Sequence, residues 1–283
     1  MNAEGGFTTW ESAVRWLRNQ ADQQDLVRAA YYDDPLVAAA ERYRASDEWR
    51  EIKFRLAGYG GAALDIGAGR GIASYALAKD GFRVTALEPD PSSLVGADAI
   101  RTLARDTQLP IEVVQEFSER LPFPEASFDV VFARAVLHHT KDLGKACREA
   151  FRVLKAGGIF VAAREHVISR TDDLDSFLRG HPLHRFYGGE NAFLLSNYTR
   201  AIKAAGFEIT ALIRPLESPI NYHPHTKQSL RDELLLRLPD TLFLRNVVRG
   251  VLSSDLVFDR VLRTLQHLDS RPGRLYSFFC KKP

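Results

Sequence analysis

The chain has 283 residues, 45% of them hydrophobic and 26% charged, and its formal net charge is +2 at pH 7. This length suffices for one large domain or two small ones and buries a core without metals or disulfides. The near balance of charge argues against a nucleic-acid-binding surface. Cys147 and Cys280 lie far apart, without the spacing of metal ligands around them. Neither a disulfide framework nor a metal site is therefore indicated, and a reducing cytoplasm is the expected compartment.

The N-terminal sequence shows no signal peptide, and no stretch approaches the ~18 uninterrupted apolar residues of a membrane span. A soluble protein without stable membrane insertion is therefore expected.

The N-terminal part of the chain has the pattern of helices. Thr8 and Glu11 stand at the spacing of a capping box, which predicts a helix start. The Asp34-Pro35 pair predicts the N-cap and first turn of a later helix that continues through Tyr43. We expect residues 1–57 to form a helical cap.

From residue 62 the pattern changes to short β-rich runs separated by helical stretches. The runs are AALDIG, RVTALEP, IEVVQEF, FDVVFAR and GGIFVAAREH. Helical periodicity lies between them at residues 70–80, 91–106 and 141–155. This alternation predicts βαβ units, right-handed crossovers and a doubly wound α/β fold with a parallel sheet.

The rest of the chain is predicted to complete one domain over residues 58–283. Residues 168–195 form an excursion too polar for a strand, followed by a helix at 196–205 and the strand FEITALI. A helical insert at about 217–272 precedes a last strand, RLYSFFC. The insert carries an arginine-studded amphipathic run, which either binds a membrane surface or packs on its own domain; packing is favoured.

The segment LDIGAGRGIASYALA predicts a strand, a glycine turn and a helix. Asp65, Gly67, Gly69 and Gly71 stand at alternate positions at the bend. Glycine accepts positive φ and lets a ligand approach the backbone, and the next helix begins with free amide groups. A nucleotide-containing cofactor is therefore expected at this turn.

The following strand ends in Glu88, at the sheet edge where open α/β sheets bind ligands. A carboxylate there can accept hydrogen bonds from both hydroxyls of a ribose. Nicotinamide enzymes also place an acid at this point, so Glu88 indicates a ribose without selecting the cofactor. The dinucleotide fingerprint G-x-G-x-x-G does not fit, because its third glycine would fall on Ile72.

The aspartate-glycine turn, with EFSERLPFPEASFDVVFARAVLHH and EAFRVLKAGGIFVAA downstream, resembles the ordered motifs of class I S-adenosylmethionine-dependent methyltransferases. The resemblance covers about residues 62–163. It implies a seven-stranded, mostly parallel sheet in which RLYSFFC lies antiparallel beside FEITALI. It also implies S-adenosylmethionine as cofactor and S-adenosylhomocysteine as product.

The resemblance assigns the acid-glycine turn to the methionine end of the cofactor, Glu88 to the ribose, and the stretch around Phe117 to the adenine. Phe117 departs from the family pattern, since many relatives have an acidic residue there. Arg134 either contributes to this region, guides an anionic acceptor or pairs with a surface acid. The expected cofactor-binding residues are Asp65, Gly67, Ala68, Gly69, Gly71, Glu88, Pro89, Phe117, Ser118, Glu119 and Arg134.

Three histidines lie near the predicted C-terminal ends of the fourth and fifth strands: His138, His139 and His166, the last beside Glu165. Histidine is suited to take the proton of a hydroxyl acceptor, so these four residues are the catalytic candidates. The alternative is that each histidine caps a helix or fills a satisfied core position.

The acceptor pocket is expected to have two walls. The segment HPLHRFYGGENAF resembles part of uncharacterised bacterial methyltransferases, and the N-terminal aromatic pair provides the second wall. The expected substrate-binding residues are His181, His184, Tyr187, Glu190, Tyr31 and Tyr32. The excursion could instead be a packed lid whose histidines bond only to backbone groups.

The leading functional hypothesis is therefore methyl transfer to a small molecule, with O-methylation favoured over N- or C-methylation because histidines abound near the site. The alternatives are a nicotinamide-dependent oxidoreductase and a non-catalytic S-adenosylmethionine-binding protein. The acceptor remains open, because one architecture serves many acceptors.

Overall fold

The computed structural model describes residues 9–181, 184, 188–237 and 248–283. The chain begins with a group of short helices that precede the sheet. They are α1 (Trp10–Arg18), α2 (Gln24–Ala29), α3 (Leu36–Arg44) and α4 (Asp47–Arg55).

Two predicted helix starts are displaced by one or two residues. The cap of α1 is Thr9, whose side chain accepts from the Ser12 amide in a capping box, whereas Thr8 lies outside the described residues. The N-cap of α3 is Pro35, so the prediction of Asp34 as cap is wrong. The Asp34 carboxylate instead accepts charge-assisted hydrogen bonds from Arg18 and Arg70.

One eight-stranded sheet forms the centre of the molecule, in the order β3-β2-β1-β4-β5-β8-β7, with β6 pairing to β5 off this path. The pairings are parallel except that β8 runs antiparallel to both β5 and β7. The strands are β1 (Ala62–Ile66), β2 (Arg83–Leu87), β3 (Ile111–Val114), β4 (Phe128–Arg134), β5 (Leu154–Ile168), β6 (Phe193–Leu194), β7 (Glu208–Ile213) and β8 (Arg274–Lys281).

This topology confirms the predicted doubly wound α/β class and the antiparallel place of the last strand. The strand beyond the predicted seven is β6, which has only two residues in the polar excursion after β5. That segment also contains a helix, so its polar composition hid two short elements.

Helices connect the strands and extend the C-terminal half. Those after β1 and β4 begin and end within two residues of the predicted helical stretches, whereas the helix after β2 begins at Ala97, six residues later than predicted. The helices are α5 (Ile72–Lys79), α6 (Ala97–Thr107), α7 (Leu143–Val153), α8 (Asp173–Gly180), α9 (Leu195–Ala204), α10 (Pro219–Tyr222), α11 (Lys227–Leu236) and α12 (Asp255–Leu268).

The core lies on both faces of the sheet. In β4, Val131 and Ala133 belong to one buried cluster, whereas Val130 and Phe132 belong to the cluster on the other face. A strand buried on both faces is typical of a parallel sheet covered by helices. Strand order reverses at β1, which lies between β2 and β4, so a crevice opens at the carboxyl ends of these strands.

The described part of the amphipathic insert packs against its own neighbours. Leu230 and Leu235 of α11 join Phe258 and Leu262 of α12 in a separate buried cluster. This arrangement supports the packing interpretation of the insert. Across the described ranges, none of the helices has both the length and the apolar character to span a bilayer.

Candidate active site

The turn between β1 and α5 has the backbone that its glycines predict. Gly67, Gly69 and Gly71 have φ of 61°, 55° and 82°, in the left-handed region that favours glycine. Space is limited as well: a Cβ on Gly67 would lie 2.7 Å from a methyl carbon of Val136 in the loop after β4. The turn is therefore in direct contact with the segment that carries the histidines.

Glu88 lies beside this turn at the end of β2. Its Oε2 accepts from the Gly69 amide at 2.8 Å and its Oε1 from the Asp90 amide at 2.9 Å. Burial leaves the residue 8% exposed and raises the pKa of the carboxyl to about 7. Each carboxylate oxygen retains lone-pair capacity, so the ionised group can still accept from two vicinal hydroxyls. The chemistry of this position fits a ribose.

Asp65 is 1% exposed and joins β1 to α5. Its Oδ2 accepts from the Ser74 hydroxyl at 2.6 Å. Burial raises the pKa of Asp65 to about 7. Asp65 thus supports the glycine turn from inside the fold, close to the place where the methionine end of the cofactor was predicted.

The predicted adenine stretch has one exposed ring and one engaged acid. Phe117 is 60% exposed. The Ser118 hydroxyl donates to Glu119 Oε2 at 3.0 Å, and Glu119 Oε1 accepts from the Lys141 amide at 2.8 Å. Glu119 therefore holds the loop before α7, which leaves the Phe117 ring as the group available to stack on a base.

Arg134 is engaged with an acid that sequence reasoning missed. Its Nε and one terminal nitrogen donate to the two oxygens of Glu48 in α4, at 2.6 and 3.0 Å. Burial opposes ionisation of Glu48, but the charges of Arg134 and Arg164 hold the pKa of that carboxyl below its ordinary value. Arg134 thus pairs with a buried acid, Glu48, and not with a surface acid. These contacts favour a positioning role for Arg134. Apart from its acidic character, Glu48 has no signature in the sequence.

Glu165 and His138 form a buried pair at the ends of β5 and β4. Glu165 is 0% exposed and accepts from the Val136, Leu137 and His138 amides at 3.0–3.1 Å. Its Oε2 also lies 2.7 Å from His138 Nδ1. Burial lowers the pKa of His138 well below its ordinary value, so the ring is neutral and Nδ1–H donates to the carboxylate. The contacts give Glu165 the role of positioning His138.

The other two predicted histidines are fixed in the same way by backbone carbonyls. His139 Nδ1 lies 2.9 Å from the Gly189 oxygen, and His166 Nδ1 lies 2.7 Å from the Gly273 oxygen. A carbonyl only accepts, so Nδ1 carries the proton in both rings. Burial, aided by the nearby His138, lowers the pKa of His166 to about 3.

Two residues of the excursion after β5, His181 and Glu190, lie close to these histidine rings. Glu190 Oε2 lies 3.8 Å from the Nε2 atoms of both His138 and His139, and Glu190 Oε1 lies 3.9 Å from His181 Nδ1. The His166 ring centroid lies 4.7 Å from that of His138 and 5.5 Å from that of His181. Five residues predicted from separate segments therefore form one group, which we call the histidine cluster.

His184 and Tyr187 complete the predicted excursion residues. The Nδ1 of His184 is buried and has no hydrogen-bond partner among the residues that the structure describes. Tyr187 lies outside the described residues.

The predicted aromatic pair divides between two environments. Tyr31 is buried, and its hydroxyl lies 2.9 Å from Nε2 of His223. Tyr32 packs edge-on against Trp10 with ring centroids 6.1 Å apart. Burial, followed by the charge of Glu190, raises the pKa of Tyr32, so this hydroxyl lies within electrostatic reach of the histidine cluster.

Arg70, inside the glycine turn, is a second residue that sequence reasoning missed. Its side chain is buried and donates to the carbonyls of Tyr31 and Asp33 at 2.8 and 2.9 Å, and to Asp34 Oδ1 at 2.6 Å. It thereby ties the N-terminal helices to the predicted cofactor turn. No local pattern reveals this, because the partners lie more than 30 residues upstream.

Comparison with known proteins agrees with this geometry. A family model described as a methyltransferase domain matches residues 64–162. Ubiquinone biosynthesis O-methyltransferase of Methylobacterium sp. (strain 4-46) is 34% identical over 108 residues, which are 38% of this chain and 41% of that protein. The 2-methyl-6-phytyl-1,4-hydroquinone methyltransferase of Synechocystis sp. is 32% identical over 151 residues, 49% of this chain and 44% of that protein. The chain thus spans less than half the length of these two relatives.

Among solved structures, geranyl diphosphate C-methyltransferase from Streptomyces coelicolor A3(2), in complex with Mg²⁺, geranyl diphosphate and S-adenosylhomocysteine, superimposes with a TM-score of 0.60. That match covers 99% of this chain and 100% of the other at 15% identity, and therefore shows the fold alone. The fold is that of the Rossmann-like methyltransferases. Residues 64–162 match the methyltransferase domain of the class I S-adenosylmethionine-dependent family, whose cofactor is S-adenosylmethionine.

Proposed function

We propose that this chain transfers the methyl group of S-adenosylmethionine to a small-molecule acceptor, preferentially to an oxygen. The observation that carries the proposal is the contact between the glycine turn and the loop after β4 through Gly67 and Val136. His138 follows Val136 by two residues, so the predicted cofactor site and the histidine cluster share one wall. The cofactor, when bound, supplies an electrophilic methyl group on a sulfonium.

The proposed cofactor contacts follow from the site. Glu88 accepts from the ribose hydroxyls, the backbone from Gly67 to Gly71 contacts the methionine end, and the exposed ring of Phe117 packs on the adenine. Holding two reactants in line can contribute about 7–11 kcal/mol to lowering a barrier. Positioning is therefore the main task of these residues.

The histidine cluster is proposed to line the acceptor side. The Nδ1 atoms of His138, His139 and His166 are engaged with Glu165 or with backbone carbonyls, which leaves Nε2 as the ring nitrogen that faces the acceptor. In the neutral form of such a ring, Nε2 carries a lone pair. Such lone pairs receive the hydrogen of a hydroxyl group and direct its oxygen. Relatives named as ubiquinone biosynthesis O-methyltransferases support an oxygen acceptor.

The match of residues 64–162 to a methyltransferase domain disfavours the nicotinamide alternative. The non-catalytic alternative is tested by turnover. Purified protein is incubated with S-adenosylmethionine and a panel of phenols, quinols, alcohols and amines, and S-adenosylhomocysteine and methylated product are quantified by mass spectrometry. We expect turnover with a hydroxylated acceptor and its loss in Glu88→Ala.

The matched control is Glu112→Ala, on the exposed side of β3, which should leave turnover unchanged. Cofactor binding without methylation of any compound in the panel, or of the small molecules of a cell extract, would favour the non-catalytic alternative.

A further inference from the structure

The histidine cluster contains more potential metal ligands than a hydroxyl-binding pocket requires. It comprises two groups that share Glu190: His138 and His139 form one with it, and His166 and His181 form the other. Within each group the ligand atoms lie within 4.8 Å of one another. We propose that this cluster binds one divalent transition-metal ion of the class that prefers imidazole nitrogen, with Zn²⁺ and Fe²⁺ as the first candidates.

The separations suit ligands of one ion better than hydrogen bonds. Glu190 Oε2 lies 3.8 Å from Nε2 of His138 and of His139, which is beyond hydrogen-bond distance. Nitrogen and oxygen ligands lie about 2.0–2.2 Å from Zn²⁺, so two ligands of one ion are separated by up to about 4 Å. Small side-chain movements are sufficient to close the shell.

In His138, His139 and His166 the ring nitrogen Nδ1, which faces away from the proposed ion, has the kind of hydrogen-bond partner found in metal sites. Histidine ligands almost always donate their other N–H to a carboxylate or a backbone carbonyl. Here Glu165 receives His138 Nδ1–H, while backbone carbonyls receive those of His139 and His166. Glu165 is itself fixed by three backbone amides. This outer layer orients the Nε2 atoms of rings that come from the loop after β4 and from β5.

The inner face of the cluster consists of hydrogen-bond acceptors that oppose one another. The Nε2 atoms of His138 and His139 face the carboxylate of Glu190. In the neutral form that a metal ligand requires, each of these Nε2 atoms is an acceptor. His181 Nδ1 is buried and has no hydrogen-bond partner in the described part of the chain. Facing acceptors repel unless a cation lies between them, whereas rings that only fill a core need no such convergence. A cation at the centre of the cluster would attract the facing acceptors and provide a partner for His181 Nδ1.

This inference deepens the proposed function and rests on it only for the role of the ion. An ion held by these residues would act as a Lewis acid and lower the pKa of a hydroxyl acceptor, whose proton would pass to water. The oxygen would then form the new O–C bond while the C–S bond of S-adenosylmethionine breaks, with its electron pair staying on sulfur to give S-adenosylhomocysteine. The metal site itself is independent of which acceptor is used.

The test is metal binding by tag-free full-length protein. The metal content of the purified protein is measured by mass spectrometry, and the chelator-treated protein is titrated with Zn²⁺ by calorimetry and with Co²⁺ by visible absorption. We expect one equivalent of ion, a Co²⁺ spectrum of a nitrogen-rich site, and no comparable binding of Mg²⁺. Glu190→Gln and His139→Ala should each weaken Zn²⁺ binding at least about tenfold.

His225→Ala is the matched control, because His225 is exposed and lies outside the cluster. Circular dichroism checks that each variant is folded. Absence of stoichiometric Zn²⁺ and Co²⁺ binding overturns the proposal, as does equal affinity in wild type and in folded Glu190→Gln and His139→Ala. Methyl transfer that persists without bound metal overturns the role of the ion in the reaction and leaves the proposed function standing. Metal binding without methyl transfer leaves the metal site standing and overturns the proposed function.

Discussion

Gly67 is the residue at which the predicted cofactor turn and the acceptor side meet. Its φ of 61° lies in the left-handed region, and an added Cβ would approach Val136 to 2.7 Å. An added Cβ would meet both the strain of the left-handed backbone and the crowding by Val136. A substitution at Gly67 should therefore affect both the free energy of unfolding and cofactor binding.

We expect Gly67→Ala to lower the free energy of unfolding by roughly 2 kcal/mol or more, since backbone strain and overpacking both contribute. It should also weaken S-adenosylmethionine binding. Adding Val136→Ala should recover only the part due to crowding. Gly180→Ala is the control, because Gly180 has open space where the Cβ would go. Urea unfolding and calorimetry measure both effects, and a Gly67→Ala protein equal to wild type would contradict this view of the turn.

With Glu88 on the ribose as proposed, we expect cofactor affinity to depend on pH. Burial raises the pKa of its carboxyl to about 7 from 4.5. Because the folded-state pKa is raised, this group destabilises the cofactor-free protein progressively as pH rises from about 4.5 to about 7. Binding has the opposite dependence, since only the ionised carboxylate accepts from both ribose hydroxyls.

The affinity for S-adenosylmethionine should therefore rise with pH up to about 7 and then level off. About one unit below its pKa only a tenth of the carboxyl is ionised, so we expect roughly tenfold weaker binding near pH 6. Calorimetry from pH 6 to pH 8 measures this, with Glu88→Gln as the variant that should lose the dependence. An unchanged pH profile in that variant would assign the titration to another group.

Among the elements, α4 is attached to β4 by a buried ion pair. Arg134 donates two hydrogen bonds to Glu48, and its guanidinium lies over the rings of Tyr31 and Tyr43 at 5.8 and 5.3 Å. Arg164 of β5 lies 3.5 Å from the same carboxylate. Two arginines thus depend on one acid for charge compensation.

Glu48→Ala should lower the free energy of unfolding by about 3–5 kcal/mol, because it leaves a buried guanidinium without its partner. The control is Glu51→Ala on the same helix, which removes a partly exposed i,i+4 pair with Arg55 and should cost about 0.3–0.5 kcal/mol. Chemical denaturation compares the two. Similar losses in both variants would show that the Glu48 pair is no more stabilising than a surface pair.

At the same scale, the sequence was sufficient to predict the seven strands of the main sheet and insufficient for one helix cap and for β6. Short β-rich runs and glycine turns predicted β1 to β5 in order, because hydrophobic pattern and local geometry agree there. The cap of α3 was predicted wrongly, because Asp34 is drawn to Arg18 and Arg70 by contacts made only in the folded chain. β6 escaped prediction because two residues carry no periodicity.

On the scale of the whole molecule, the candidate active site is formed by segments that lie far apart in the sequence and meet in the fold. The family, its cofactor and the acid-glycine turn follow from contiguous motifs, which is why they could be predicted. The catalytic and substrate candidates were also named from the sequence, but as separate segments. Their assembly around Glu190 depends on the return of the chain after α8, and no local pattern encodes it. For the same reason, the proposed metal site could not be predicted from local motifs.

The central claim is that the turn from Gly67 to Gly71, with Glu88 beside it, binds S-adenosylmethionine. Calorimetric titration of purified protein with S-adenosylhomocysteine and, separately, with NAD tests it most directly. We expect saturable one-site binding of S-adenosylhomocysteine, loss of this binding in Glu88→Ala, and no binding of NAD. Binding of NAD without binding of S-adenosylhomocysteine would contradict it.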